Sequence, residues 1–169
     1  RSSSPGSRLK QAKNANLRIL ASGVTLNFAL EAAEELKKYQ INADIWSITS
    51  FNELYKDGIE VERQNRLNAT FKKPYVQICF EEEMPTLAVS EYQRAYPNQI
   101  REWIKGEYKI LGTDGFGRSD TREELRDFFE ISKNHIVLNS LLMCDKKKEA
   151  DKFIKDSGIV LSKEAPWKN

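Results

Sequence analysis

Between Leu17 and Ile48 two short apolar runs, Leu17–Ala21 and Asp44–Ile48, flank a segment whose apolar residues recur at helical spacing. This order constrains the fold more than any other feature of the chain. Leu26, Ala29, Leu30, Ala33 and Leu36 share one face of a helix entered through the Ser22-Gly23 turn, because positions three and four apart stack on one side. Glu34 and Lys38, four apart, suit its solvated side. Nearly continuous apolar runs, lacking the alternation of a half-exposed strand, are the pattern of buried parallel strands. A strand, a helix and a second such strand close into one right-handed β-α-β unit.

The alternation continues along the chain. Asn52–Leu67 is highly charged, and its apolar Leu54, Tyr55, Ile59 and Leu67 form a narrow stripe interrupted at Gly58, which predicts one or two surface helices. Tyr75–Phe80 has strand propensity, but Pro74 fits a first helical position, and the helix is the preferred reading. Thr86–Ser90 reads as the third strand. Glu91–Ile104 is helical in pattern, with Pro97 either starting its main part or kinking it. After a strand over Lys109–Leu111, Asn134–Cys144 and Glu149–Ser157 read as helices, the second ended by Gly158. The predicted fold is three-layer α/β/α, Rossmann-like, with a mainly parallel sheet of about four or five strands. Arg18–Ala21, Asp44–Ile48, Thr86–Ser90 and Lys109–Leu111 belong to it.

At 169 residues and 40% hydrophobic composition the chain suits one domain with a sizeable core. The domain is placed at 17–169. Residues 1–16, polar, Ser-rich and without periodicity, read as a flexible lead-in or linker, in which the stretch up to Ser7 also fits a cloning scar. The net charge of +2 arises there, since Arg1, Arg8, Lys10 and Lys13 meet no acid; without them 23 basic residues face 25 acidic ones. A balance of this kind argues against nucleic acid as a partner. Cys79 and Cys144 have no metal-site or disulfide spacing and read as reduced, packed thiols of a cytoplasmic protein. No apolar run approaches the ~20 residues of a membrane span, so no membrane partner is expected.

The candidate site is the loop that follows the strand at Leu111. Gly112, Gly115 and Gly117 open backbone angles closed to other residues, and Asp114, Phe116, Arg118 and Asp120 stand among them. Thr121-Arg122-Glu123-Glu124 then fits a capping box, followed by Leu125, Phe128 and Phe129 on one helix face. A loop between strand and helix lies at the carboxyl ends of the strands, the usual edge for ligands and interfaces. Its order is neither GxGxxG nor GK[ST], so it lacks the phosphate-cradling patterns. Counted from Asp114 as a calcium loop, positions three and five are Phe116 and Arg118, which offer no oxygen donor. The favoured reading is an internal ion-pair and hydrogen-bond network that makes Gly112–Asp120 a structural or interface element. His135 alone makes no triad or metal set, Glu81-Glu82-Glu83 reads as a solvated run, and Trp46, Trp103 and Trp167 read as core or interface anchors.

LGTDGFGRSDTREEL resembles the motif near the C-terminus of the homodimeric, bacterial type of pyruvate dehydrogenase decarboxylating component. Ile19–Leu36, Ala43–Asn68 and Pro85–Tyr92 resemble the same family in the same order, from about Leu17 to the end. The match is to its last domain, the transketolase-type C-terminal domain. The resemblance implies a short helix before the third strand, and a parent enzyme that decarboxylates pyruvate on thiamine diphosphate and reductively acetylates lipoyl groups of the acetyltransferase component. It implies that thiamine diphosphate and magnesium are bound outside this domain, by the N-terminal and middle domains at the homodimer interface, and no catalytic, cofactor or metal residue is carried over. The implied partners are those two domains, the second subunit and the dihydrolipoyl acetyltransferase, in the bacterial cytoplasm. A stand-alone Rossmann-like binding or regulatory module, or a small nucleotide-dependent enzyme, are the rival readings, since a fold does not fix function.

Overall fold

Strand β2 (Leu17–Ala21) is buried at all five positions, and β3 (Ala43–Ile48) at five of six, which is what their apolar sequence demands. Both sit inside a five-stranded sheet of order β1-β3-β2-β4-β5, in a computed structural model that describes residues 5–23, 25–90, 95–112 and 133–158. β4 (Thr86–Val89) and β5 (Tyr108–Leu111) complete a parallel set with β2 and β3, while β1 (Gly6–Lys10) pairs antiparallel to β3. All four strands read from the sequence share this one sheet.

Successive strand side chains point to opposite faces, so the sheet carries two cores. Leu17, Ile19, Ile45, Leu87 and Val89 pack under α1 (Thr25–Leu36), α5 (Lys133–Met143) and α6 (Lys147–Ser157). Leu20, Trp46, Ile48 and Ile110 pack under α2 (Phe51–Asn68), α3 (Tyr75–Cys79) and the segment holding Ile100, Trp103 and Ile104. Each such side chain, fully buried, contributes about 1.5–3 kcal/mol relative to exposure. The result is the three-layer α/β/α architecture.

Two sequence readings are corrected, the lead-in over 1–16 and the helix over Glu91–Ile104, and two, over Asn52–Leu67 and at Glu34, are made definite. The lead-in over 1–16 contains β1, whose residues are mostly exposed and polar and therefore show no apolar period; its partner is the backbone edge of β3. Arg8 also lies over the Trp46 ring, 5.1 Å from its centroid, and the Ala12 N–H donates to Asp44 Oδ1 at 2.8 Å. Asn52–Leu67 is one helix, continuous through Gly58, because Gly58 is buried against the Trp103 indole. Its start is capped by Ser50, whose Oγ accepts from the Glu53 N–H at 3.1 Å. Glu91–Ile104 is not a single helix: among its described residues α4 (Ala95–Asn98) and a 3-10 turn (Arg101–Trp103) are separate pieces. Glu34 pairs with Lys37 and, across to β1, with Lys10 rather than with Lys38. Gly158 does end α6, in the left-handed region at φ 71°.

Candidate interface site

β2, β3 and β4 end side by side at Ala21, Ile48 and Val89, and each is followed at once by hydroxyl residues: Ser22, Thr49 with Ser50, and Ser90. β2 leads into α1 on one face of the sheet and its neighbour β3 into α2 on the other, so the connections leaving these two ends diverge. That is the geometry that opens a crevice outside the carboxyl ends of an α/β sheet. Here it is a cavity of about 330 Å³. Ile48 and Phe51 form its apolar floor, Ser22 and Ser90 its walls, and Asn52 and Tyr96 stand on its rim.

Two loops are tied together beneath it. The buried Thr25 hydroxyl accepts from the Ser22 N–H at 3.0 Å and lies 3.1 Å from the Val89 carbonyl oxygen, so the first turn of α1 clamps the ends of β2 and β4. Gly23, at φ 61°, makes the turn between strand and helix. The 18-residue α2 presents its amino end to the crevice, where the helix dipole favours negative charge. Ser22 Oγ is buried without a hydrogen-bond partner among the described groups. Among the described residues, no charged side chain lines the space.

Gly112 leaves β5 at this same edge, and the Ser90 N–H donates to the Leu111 carbonyl at 3.0 Å. The rest of the loop read from the sequence, Asp114, Gly115, Phe116, Gly117, Arg118 and Asp120, lies outside the described residues, as does the capping box after it. The sequence reading missed the crevice itself. Its signal was the hydroxyl residue after each apolar run, which becomes informative only once the three runs are known to be neighbours.

The opposite, amino edge holds a row of buried polar groups in register, Asp44, Arg18, Thr86 and Tyr108. Arg18 donates to Thr86 Oγ1 at 3.0 Å and to the Glu82 carbonyl at 2.8 Å, and its guanidinium lies over the Phe80 ring. Burial lowers its pKa, while the nearby Asp44 and Glu82 pull it back up. The Tyr108 hydroxyl donates to the Pro97 carbonyl at 2.7 Å, and burial raises its pKa. Arg18 pairs with Thr86, and the bonds to the Glu82 and Pro97 carbonyls and from the Ala12 N–H to Asp44 hold loops to the sheet. Burial also raises both thiols, Cys79 and Cys144, which keeps them protonated and poor nucleophiles at neutral pH. Trp46 and Trp103 are core residues; Trp167 lies outside the described residues.

Among the described residues no three His, Cys, Asp or Glu side chains converge. Nor is any described helix long and apolar enough to cross a membrane.

Against known proteins, residues 7–132 match the family model described as the transketolase-like TK C-terminal domain. The chain is 46% identical over 131 residues to the pyruvate dehydrogenase E1 component of Pseudomonas aeruginosa, covering 75% of this chain and 15% of that protein. The pyruvate dehydrogenase E1 component of Escherichia coli K12 is 38% identical over 148 residues, 85% of this chain and 17% of that one. That of Mycobacterium tuberculosis is 47% identical over 124 residues, covering 71% and 13%. The chain thus spans about one sixth of the length of these curated relatives. Among solved structures, the transketolase of Campylobacter jejuni superposes with a TM-score of 0.57 at 23% identity, over 81% of this chain and 18% of the other. A split-gene transketolase described as an inactive β4 tetramer gives 0.58 at 18% identity, over 85% and 44%. At such identities these structures speak for the fold alone.

Proposed function

Because the chain belongs to the transketolase-like TK C-terminal domain family, we propose that it is the C-terminal structural and interface domain of a thiamine-diphosphate-dependent pyruvate dehydrogenase. One observation carries this reading: proteins named pyruvate dehydrogenase E1 component agree with 71% to 88% of the chain at 37% to 47% identity. In this proposal the parent is a homodimer of the bacterial cytoplasm that decarboxylates pyruvate and passes the two-carbon unit to lipoyl groups of an acetyltransferase component. Thiamine diphosphate supplies the carbanion chemistry, and it and its magnesium are held by the preceding domains. The contribution of this chain is to dock those domains and the second subunit, through the Gly112–Asp120 loop read from the sequence. The crevice favours the second reading, a stand-alone Rossmann-like module with a small ligand.

The native reading frame separates the two. A parent several times longer, turning over pyruvate only with thiamine diphosphate and magnesium, supports the first; an autonomous chain starting near Arg8 supports the second. Calorimetric titration of the 169-residue chain with cofactor and magnesium is expected to give no saturable heat, and micromolar binding would overturn the assignment of the cofactor to other domains.

A further inference from the structure

β1 runs antiparallel to β3, so its first residue, Gly6, pairs with Ile48 at the carboxyl edge rather than at the amino edge. The Pro5 carbonyl accepts from the N–H groups of both Thr49 (2.8 Å) and Ser50 (3.2 Å), which also line the crevice. The described chain therefore begins, at Pro5, on the crevice rim. At a maximal reach of ~3.6 Å per residue, a domain joined through a few residues must lie over this edge. The far end of α2, 18 residues away along the helix, is about 27 Å off at 1.5 Å per residue.

We propose that the crevice between Ser22, Ser50 and Ser90 is a socket for the preceding domain of the same polypeptide, taking an apolar side chain flanked by a carboxylate or carbonyl oxygen. This rests on the proposed function, in which such a domain exists. The chemistry of the socket selects that occupant. Ile48 and Phe51 give an apolar floor, already part of one core, onto which an inserted side chain extends the packing. An oxygen acceptor meets the amino end of α2, where no acidic side chain among the described lining residues competes for it.

Asn52, half-buried at the rim, reports occupancy. Asn52→Cys in the 169-residue chain is expected to react with a maleimide at the rate of an accessible thiol, and in the full-length parent at least tenfold more slowly. A photo-crosslinking residue at 52 in the parent is expected to couple to the preceding domain, read by mass spectrometry in dimers of isotopically distinct subunits. Equal rates in chain and parent overturn the proposal; protection with crosslinks only to the other subunit overturns the choice of occupant. Tyr96→Cys, on a side chain 47% exposed, repeats the measurement should the first variant misfold. Loss of the function reading is seen separately, as a parent without thiamine-dependent pyruvate turnover, and leaves the accessibility readout standing.

Discussion

Gly58→Ala discriminates between two accounts of α2. If Gly58 were a helix break, alanine would strengthen the helix by about 1 kcal/mol, the usual difference in propensity. In the structure an added Cβ would stand 2.5 Å from Cη2 and Cζ2 of Trp103 and 2.9 Å from Cζ3. The indole cannot swing aside freely: it is buried among Ile100, Ile104 and Leu54, and its Nε1–H donates to Glu62 Oε1 at 3.1 Å. Overpacking of this kind costs roughly 1–3 kcal/mol, and a displaced indole loses a hydrogen bond of about 1 kcal/mol. Set against the propensity gain, the expected net loss is about 1–3 kcal/mol. Urea unfolding followed by circular dichroism reads it as a lower midpoint at unchanged slope. The double variant Gly58→Ala/Trp103→Leu should show favourable coupling, since the clash is already gone. A single Gly58→Ala variant as stable as the parent sequence, or more so, would refute the packing argument.

Arg18→Ala leaves Thr86 and the Glu82 carbonyl without a donor and opens space beside Phe80; a loss of about 3 kcal/mol is expected by denaturant titration, and Arg18→Lys should recover only part of it. Lys10 first, then Lys37, hold the Glu34 carboxyl at about 2 against an ordinary 4.5. Because the folded pKa is depressed, this contribution is complete above pH 4.5 and is lost as pH falls toward 2. Glu34→Gln should therefore flatten the stability profile in that window, and an NMR titration placing Glu34 near 4.5 would remove the pairing. Phe116→Ala in the full-length parent is expected to weaken domain docking or dimer stability by a few kcal/mol if the loop is an interface element, as other aromatic truncations do. Cofactor affinity of the assembled dimer, measured by calorimetry, should barely change; the reverse pattern would make the loop a ligand site.

Local pattern was enough for the elements whose burial is complete. β2, β3 and β4 are legible because a strand covered on both faces must be largely apolar, and α1 because one buried face imposes helical spacing on Ala29, Ala33 and Leu36. The helix over Tyr75–Cys79 and the stop at Gly158 follow from single residues with restricted or permissive backbones. The three-layer architecture follows in turn, since elements of this kind have few ways to bury their apolar sides. Four features were decided only in three dimensions. β1 is held by the edge of β3 and by Trp46, neither of which its own polar sequence announces. Gly58 is explained by Trp103, far along the chain. Glu34 takes Lys10 as a partner because β1 lies beside α1. The crevice exists because three strand ends separated in sequence become neighbours with diverging loops. Periodicity records which side of an element is buried; it carries no record of what covers that side, and contacts between distant segments are where that information is held.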